Sequence, residues 1–221
     1  MPERQIAAFD FDGTLTRRDT LLPFLVRVCG ARTVGRALSK IAPAAARARV
    51  GIFQTGAGDR DSYKADLLHT LFAGRDAAWF AEAGADFARL LPRRIRPEMA
   101  EQVAWHRAQG HELVIVSASL LTYLEPFTQA ERFDHVIAVG LEVGPDGRLT
   151  GHLTGPNVRG PEKAVRLRAW LSGHEPSLLW GYGNSSGDTE LLAMADVPVW
   201  VNRRAERNAS GPIPVAALPI A

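Results

Sequence analysis

Five short apolar segments punctuate the chain: QIAAFDF, HELVIVSAS, DHVIAVGLEV, PSLLWGYG and VPVWVN. Each is rich in β-branched or aromatic residues, and most are separated by stretches long enough for a helix, which predicts parallel strands covered by helices. They are apolar at nearly every position rather than at alternate ones, as expected of strands buried on both faces. LEVGPDGRLTGHLTGP breaks this pattern. There Asp146-Gly147 separates two alternating runs and predicts an antiparallel hairpin attached to the sheet's edge. Helices are expected from Glu98 to Gln109, after Pro97 and before Gly110, from Lys163 to Leu171, and from Thr189 to Ala195.

Roughly ninety residues lie between the first two strands, far more than the dozen or so of a crossover connection. PFLVRVCGARTVGRALSKIAPAAARARV, DSYKADLLHTLFAG and DAAWFAEAGADFARLL fill that interval with helical character. The expected organisation is an α/β core, Rossmann-like and three-layered, from residues 1–16 and 93–221. An all-helical cap over residues 17–92 is inserted after the first strand. Because it begins at that strand's C-terminal end, the insertion is placed over the crevice where open parallel sheets bind ligands.

Composition narrows the class. With 221 residues, 46% hydrophobic and 23% charged, the chain is an ordinary globular one. It is long enough to bury roughly 70% of its unfolded surface. The single Cys29 excludes an internal disulfide and a cysteine-based zinc site. No run approaches the ~18 apolar residues of a membrane span. The N-terminal MPERQIAAFD passes straight into a strand rather than a signal peptide, so a cytoplasmic setting is expected. The net charge of +2 hides an asymmetry: no acid occurs between Asp19 and Asp59, while Arg27, Arg32, Arg36, Lys40, Arg47 and Arg49 do. Such a segment either faces something anionic or forms a solvated helix face. Aromatic residues are not interleaved with the basic ones as base stacking would require, so nucleic acid is not an expected partner. The oligomeric state is not fixed by these residues.

The candidate chemistry gathers at one sheet edge. Asp10 and Asp12 sit at i and i+2 on a strand end and point the same way, and Gly13 after them lets the backbone pass close to a ligand. Two converging carboxylates repel, and a cation, a shared proton or an adjacent lysine must relieve them. Ser117 ends VIVS, Lys163 lies near a helix start in RGPEKAVRL, and GYGNSSGDTELL follows a strand. Each has an ordinary reading alone: two capping acids, a capping serine, a surface lysine, a polar N-cap. The chain has only three lysines, Lys40, Lys64 and Lys163, which gives a lysine at the sheet edge more weight. The conjunction, in this order, is what the ordinary readings explain poorly.

AAFDFDGTLT, VIVSAS, the lysine of GPEK and GYGNSSGDTELL resemble the four motifs of the haloacid dehalogenase-like hydrolases, over essentially the whole chain. The helical insertion and the hairpin resemble the phosphoserine-phosphatase-like branch (subfamily IB, with a C1-type cap). The resemblance implies a magnesium-dependent phosphomonoesterase with Asp10 as nucleophile and Asp12 as general acid and base. It further implies a phosphoryl cradle of Gly13, Thr14, Ser117, Ala118 and Lys163, with Mg2+ held by Asp10, Asp12, Asn184 and Asp188. Asn184 departs from the pattern, since many members carry an acid there. An amide brings no charge, so weaker magnesium binding is expected, with Asp188 carrying more of the role. The implied partner is a small phosphorylated metabolite. Asp19 hints at an amine or polyol, and Arg47 and Arg49 at an anionic membrane surface and a lipid phosphate. A non-catalytic phospholigand binder is the alternative outside enzymes.

Overall fold

The protein's structure, a computed structural model, describes residues 4–47, 57–173 and 175–201. Its centre is β1 (Gln5–Phe9), in which Ile6, Ala7, Ala8 and Phe9 are fully buried. The strand has no polar side chain beyond Gln5, so it takes the central position in the sheet, with both faces and both edges covered. The other strands of the sheet are β2 (Glu112–Leu120), β3 (His135–Val139), β6 (Leu178–Gly183) and β7 (Val197–Trp200). All pair in parallel, in the order β3-β2-β1-β6-β7. The chain builds outward from β1 on one side, then returns to build on the other. The carboxyl end of β1 therefore lies at the point where strand order reverses, the place where open α/β sheets bind ligands.

Helices α5 (Pro97–Ala108), α6 (Leu121–Ala130), α7 (Pro161–Leu171) and α8 (Thr189–Met194) connect these strands. Four more lie between β1 and α5: α1 (Leu21–Cys29), α2 (Ala31–Arg47), α3 (Ala57–Phe72) and α4 (Ala77–Ala88). Gly30, at φ +82°, ends α1 and lets α2 start in a new direction. The path out and the path back meet: Thr16 and Ile95 form an antiparallel bridge, and Arg96 N donates to Leu15 O at 2.9 Å. The inserted helices are not loosely tethered. Phe24 of α1 packs against Phe80 and Phe87 of α4 and against Tyr123 of α6, with ring centroids 5.0–5.9 Å apart. Gly84 lets α4 approach α6 closely, since a Cβ there would lie 2.2 Å from Thr122 O. No described helix is long and apolar enough to cross a membrane.

The hairpin forms but is attached elsewhere than the sequence pattern predicts. DHVIAVGLEV breaks at Gly140, so β4 (Leu141–Val143) leaves the main sheet and pairs with β5 (Leu149–Leu153) as a separate two-stranded unit. Its backbone partners come from the α3–α4 connection: Gly74 N donates to Leu149 O, Leu149 N to Arg75 O and Ala77 N to Gly147 O, at 2.8–3.0 Å. Gly151 lies against α3, where a Cβ would come within 2.6 Å of His69 Nδ1. Main-chain groups freed at a helix junction satisfy the hairpin's edge better than the sheet's solvent-facing rim.

A buried histidine links α5 to the sheet. His106 is fully buried, its Nε2 2.8 Å from the Tyr182 hydroxyl and its Nδ1 2.7 Å from Nδ1 of His111. Burial, and then His111, push its pKa down to about 3. The folded state holds it neutral while the unfolded chain protonates it near pH 6.5, so its contribution is complete above that pH and is lost as pH falls toward 3. Unfolding free energy should decline below pH 6.5 with a slope of up to about 1.4 kcal/mol per pH unit from this group. Denaturant titrations between pH 7.5 and 5 read this slope, and His106→Gln should flatten it. An unchanged slope would assign acid sensitivity elsewhere.

Candidate active site

Asp10 directly follows β1 and stays in register with β6 through Asp10 N to Tyr182 O at 2.9 Å. The residue is only 6% exposed, and both carboxylate oxygens are engaged. Lys163 Nζ donates to Oδ1 at 2.5 Å and the Thr14 hydroxyl to Oδ2 at 2.7 Å. Thr14 reaches back because the chain turns tightly over Phe11–Leu15, with Gly13 at φ +81°. A side chain at Gly13 would also displace Asn184, since a Cβ would stand 2.0 Å from Asn184 Nδ2. Asp12 faces the junction with the inserted helices. Its Oδ1 accepts from Thr20 N at 2.9 Å and the Thr20 hydroxyl at 2.7 Å, and its Oδ2 accepts from the Ser119 hydroxyl. Burial, then the Asp19 charge, push Asp12 up to about 7, with Asp10 adding and the Ser119 and Thr20 hydrogen bonds opposing.

Lys163 lies in the first turn of α7, behind Gly160 and Pro161, and is 1% exposed. Its Nζ also donates to Asp188 Oδ1 at 2.6 Å. The other oxygen of Asp188 accepts from Asn184 N, Ser185 N and the Ser185 hydroxyl at 2.9–3.0 Å, while Ser185 Oγ accepts from Gly187 N. NSSGD is thus a true capping box whose acid also reaches the lysine. Burial alone would raise Asp188, but Lys163 and the loop donors outweigh it and hold this carboxyl below the usual range. Burial dominates at Asp10 and raises it; Lys163 opposes that and the Asp188 charge adds to it. The ammonium, which burial disfavours, is kept charged by these two acids.

A cavity of about 230 Å³ opens beside these groups, lined by Asp10, Asp12, Ser117, Ala118, Lys163 and Asp188 from the sheet edge. Asp19, Leu21, Asp61 and Lys64 line it from the inserted segment. Ser117 Oγ accepts from Ser119 N at 3.0 Å, which leaves its own proton for an acceptor in the cavity. Asp19 caps α1 through Leu22 N and lines the cavity as well. Asn184 is not among the lining residues; its side chain packs on Gly13. Thr14 is fully buried and spends its hydroxyl on Asp10. Arg49 lies outside the described residues, as does the side chain of Arg47.

The donors suit a hard cation. Among the described residues no three His, Cys, Asp or Glu converge as a ready-made metal cluster. However, Asp10 and Asp188 both reach one ammonium, all nearby donors are oxygens, and two carboxylates share a single positive charge. Magnesium favours such a set, with few protein ligands and retained waters. The carboxylates of Asp10 and Asp188 and the main-chain carbonyl of Asp12 are the groups that would hold it; the Asn184 amide, packed on Gly13 outside the cavity lining, would have to turn toward it to join them.

Residues 7–193 match the family model for haloacid dehalogenase-like hydrolase. The chain belongs to that family. Protein CicA of Caulobacter vibrioides is 36% identical over 201 residues, covering 88% of this chain and 84% of the relative. A histidinol-phosphatase of Neisseria meningitidis is 28% identical over 165 residues, covering 70% and 72%. Among solved structures, the apo form of a phosphoserine phosphatase is similar, with TM-score 0.62 and 17% identity over 90% of this chain and 86% of its own, a likeness of fold.

Within this hydrolase, several residues at the site escaped sequence reasoning. Ser119 and Thr20 hold Asp12, and Lys64, Asp61 and Asn157 line the same cavity and are bonded to one another. Lys64 carried a signal, as one of only three lysines. Burial lowers it to about 8, against the charges of Asp61, Asp12 and Asp19.

Replacing Lys163 by Met leaves two buried carboxylates uncompensated and should cost about 3–5 kcal/mol of stability. Those acids must then bind protons in the folded state, so the deficit relative to wild type should shrink as pH is lowered from 8 to 5. Chemical denaturation in EDTA measures this; a deficit independent of pH would contradict the charge-sharing account.

Proposed function

We propose that this hydrolase is a magnesium-dependent phosphomonoesterase working through an aspartyl-phosphate on Asp10. The observation that carries the reading is a division of labour between two neighbouring acids. Asp10 is fixed by Lys163 and Thr14 at the cavity floor, while Asp12 is pushed to about 7 and so holds or releases a proton near neutrality. Asp10 attacks phosphorus, and Asp12 gives its proton to the leaving alkoxide. Asp12 then takes a proton from the water that hydrolyses the intermediate. The Ser117 hydroxyl, the remaining N–H of Lys163 and the amides of Gly13, Thr14 and Ala118 hold the phosphoryl oxygens as charge develops. Magnesium, when bound, neutralises charge that otherwise keeps an anionic nucleophile from an anionic substrate.

The substrate in this proposal is a small phosphorylated metabolite in a cytoplasmic setting. Asp19 at the cavity wall and the histidinol-phosphatase relative both favour a leaving group that carries an amine. A lipid phosphate is the second reading. Leu22 and Val26, 48% and 37% exposed on α1, favour it, together with the exposed Arg27, Arg32, Arg36 and Lys40. Co-sedimentation with anionic vesicles that falls for Leu22→Ser/Val26→Ser would support it; no binding by the wild type would remove it.

Magnesium-dependent phosphate release from a panel of metabolite and lipid phosphomonoesters is the direct test, and Asp10→Asn should reduce it by about three orders of magnitude or more. A folded protein inert on the whole panel sinks the proposal in favour of a non-catalytic phospholigand binder. Because Asp12 must be protonated to expel an alkoxide, kcat/KM for alkyl phosphates should fall as pH rises above about 7. p-Nitrophenyl phosphate, whose leaving group needs no proton, should show a weaker alkaline limb. Asn184→Asp should tighten magnesium binding; unchanged metal dependence would place Asn184 outside the coordination sphere.

A further inference from the structure

One contact joins the inserted helices to the phosphoryl-binding strand end, and its chemistry is specific. Asp61 and Lys64 are three residues apart in α3, hence on one helix face. They grip opposite ends of the Asn157 amide: Lys64 Nζ donates to Oδ1 at 2.6 Å, and Nδ2 donates to Asp61 Oδ1 at 2.7 Å. Only this orientation of the amide meets a donor with an acceptor at both ends. Asn157 is 8% exposed and lies in the segment between β5 and α7, just ahead of the helix that carries Lys163.

The same ammonium donates to Ala118 O at 2.5 Å. That carbonyl and the Ser119 N–H are two ends of one peptide group, and the N–H donates to Ser117 Oγ at 3.0 Å. A charge-assisted bond at the carbonyl polarises the peptide and strengthens its N–H as a donor. With Oγ engaged as acceptor, the Ser117 hydroxyl proton is directed into the cavity. A chain of hydrogen bonds therefore runs from α3, through one peptide, to the hydroxyl read above as a phosphoryl ligand.

We propose that Asp61, Lys64 and Asn157 form a positioning clamp that aligns the Ser117 hydroxyl, so that the phosphoryl site is complete only when α3 is seated on the core. This rests on the phosphomonoesterase reading for the role of Ser117. Lys64 spends two of its three N–H groups on protein acceptors and in this proposal acts through Ser117 rather than on substrate. Asp61 fixes the amide, and the amide fixes the ammonium.

A double-mutant cycle tests the coupling. In the full-length protein, Lys64→Met should lower kcat on p-nitrophenyl phosphate by about tenfold or more, with KM changed less than about threefold. In a Ser117→Ala background the same substitution should cost less than about twofold, because its path to the phosphoryl group is already cut. Effects that multiply would overturn the proposal and make Lys64 a simple staple or a substrate contact. Should Lys64→Met fail to fold, Asn157→Asp sets two carboxylates against each other and should depress kcat. Adding Asp61→Asn restores donor-to-acceptor pairing and should return kcat to within about threefold of wild type. Failure of that rescue overturns the clamp. The Lys64–Ser117 cycle is repeated on inorganic phosphate binding by calorimetry, which needs no turnover. Coupled binding without turnover sinks the esterase reading and keeps the clamp; turnover without coupling does the reverse. Absence of both phosphate binding and turnover sinks the two together.

Discussion

A single ammonium, that of Lys163, holds two buried carboxylates from distant parts of the chain, and the site is arranged around it. Asp10 comes from the end of the central strand and Asp188 from the turn after β6, while the lysine enters from the first turn of α7. None of the three is stable where it sits without the others, because an unpaired charge at this depth costs several kcal/mol. Yet two acids and one lysine do not balance. Burial, with the Asp188 charge adding to it, keeps Asp10 raised, and the residual negative charge leaves the place attractive to a second cation. Under the proposed function, the same imbalance that would destabilise an ordinary core would favour binding of a metal and, with it, of a phosphate.

Strand order is what allows this convergence. Because the chain builds outward from β1 in both directions, β2, β1 and β6 lie side by side, and Ser117, Asp10 and the loop after Gly183 emerge as neighbours. Small residues then set the spacing. Gly183 lets Asp188 pack against the strand end, where a Cβ would meet Asp188 Cβ at 2.5 Å, and Gly13 leaves room for Asn184. These glycines serve proximity as much as backbone freedom.

The parallel sheet, the helical character of the insertion and the grouping of Asp10, Asp12, Ser117, Lys163 and Asp188 at one edge were legible because each depends on local pattern: apolar runs, turn residues and motif spacing. What was not legible depends on tertiary partners. The hairpin's alternation is the same whether it pairs with a sheet edge or a helix junction, and only the backbone groups of Gly74, Arg75 and Ala77 decide it. The partners of Asp12 are a threonine and a serine of no unusual spacing. Asn157 sits close to the GPEK motif, but nothing in its neighbourhood says that a lysine ninety-three positions away will bind it. NSSGD reads in sequence as a polar N-cap, and no local pattern says that Asp188 caps with one oxygen while its other oxygen pairs with Lys163.

The misplaced hairpin has a consequence for how the molecule divides. Its backbone is bonded to the α3–α4 connection, although more than sixty residues of chain separate Ala77 from Leu141. The contiguous insertion and the unit that behaves as one piece are therefore different sets of residues. Grafting residues 17–92 alone onto a related scaffold would strip the α3–α4 junction of its main-chain partners; a transplant that respects the hydrogen bonds carries residues 141–153 with it.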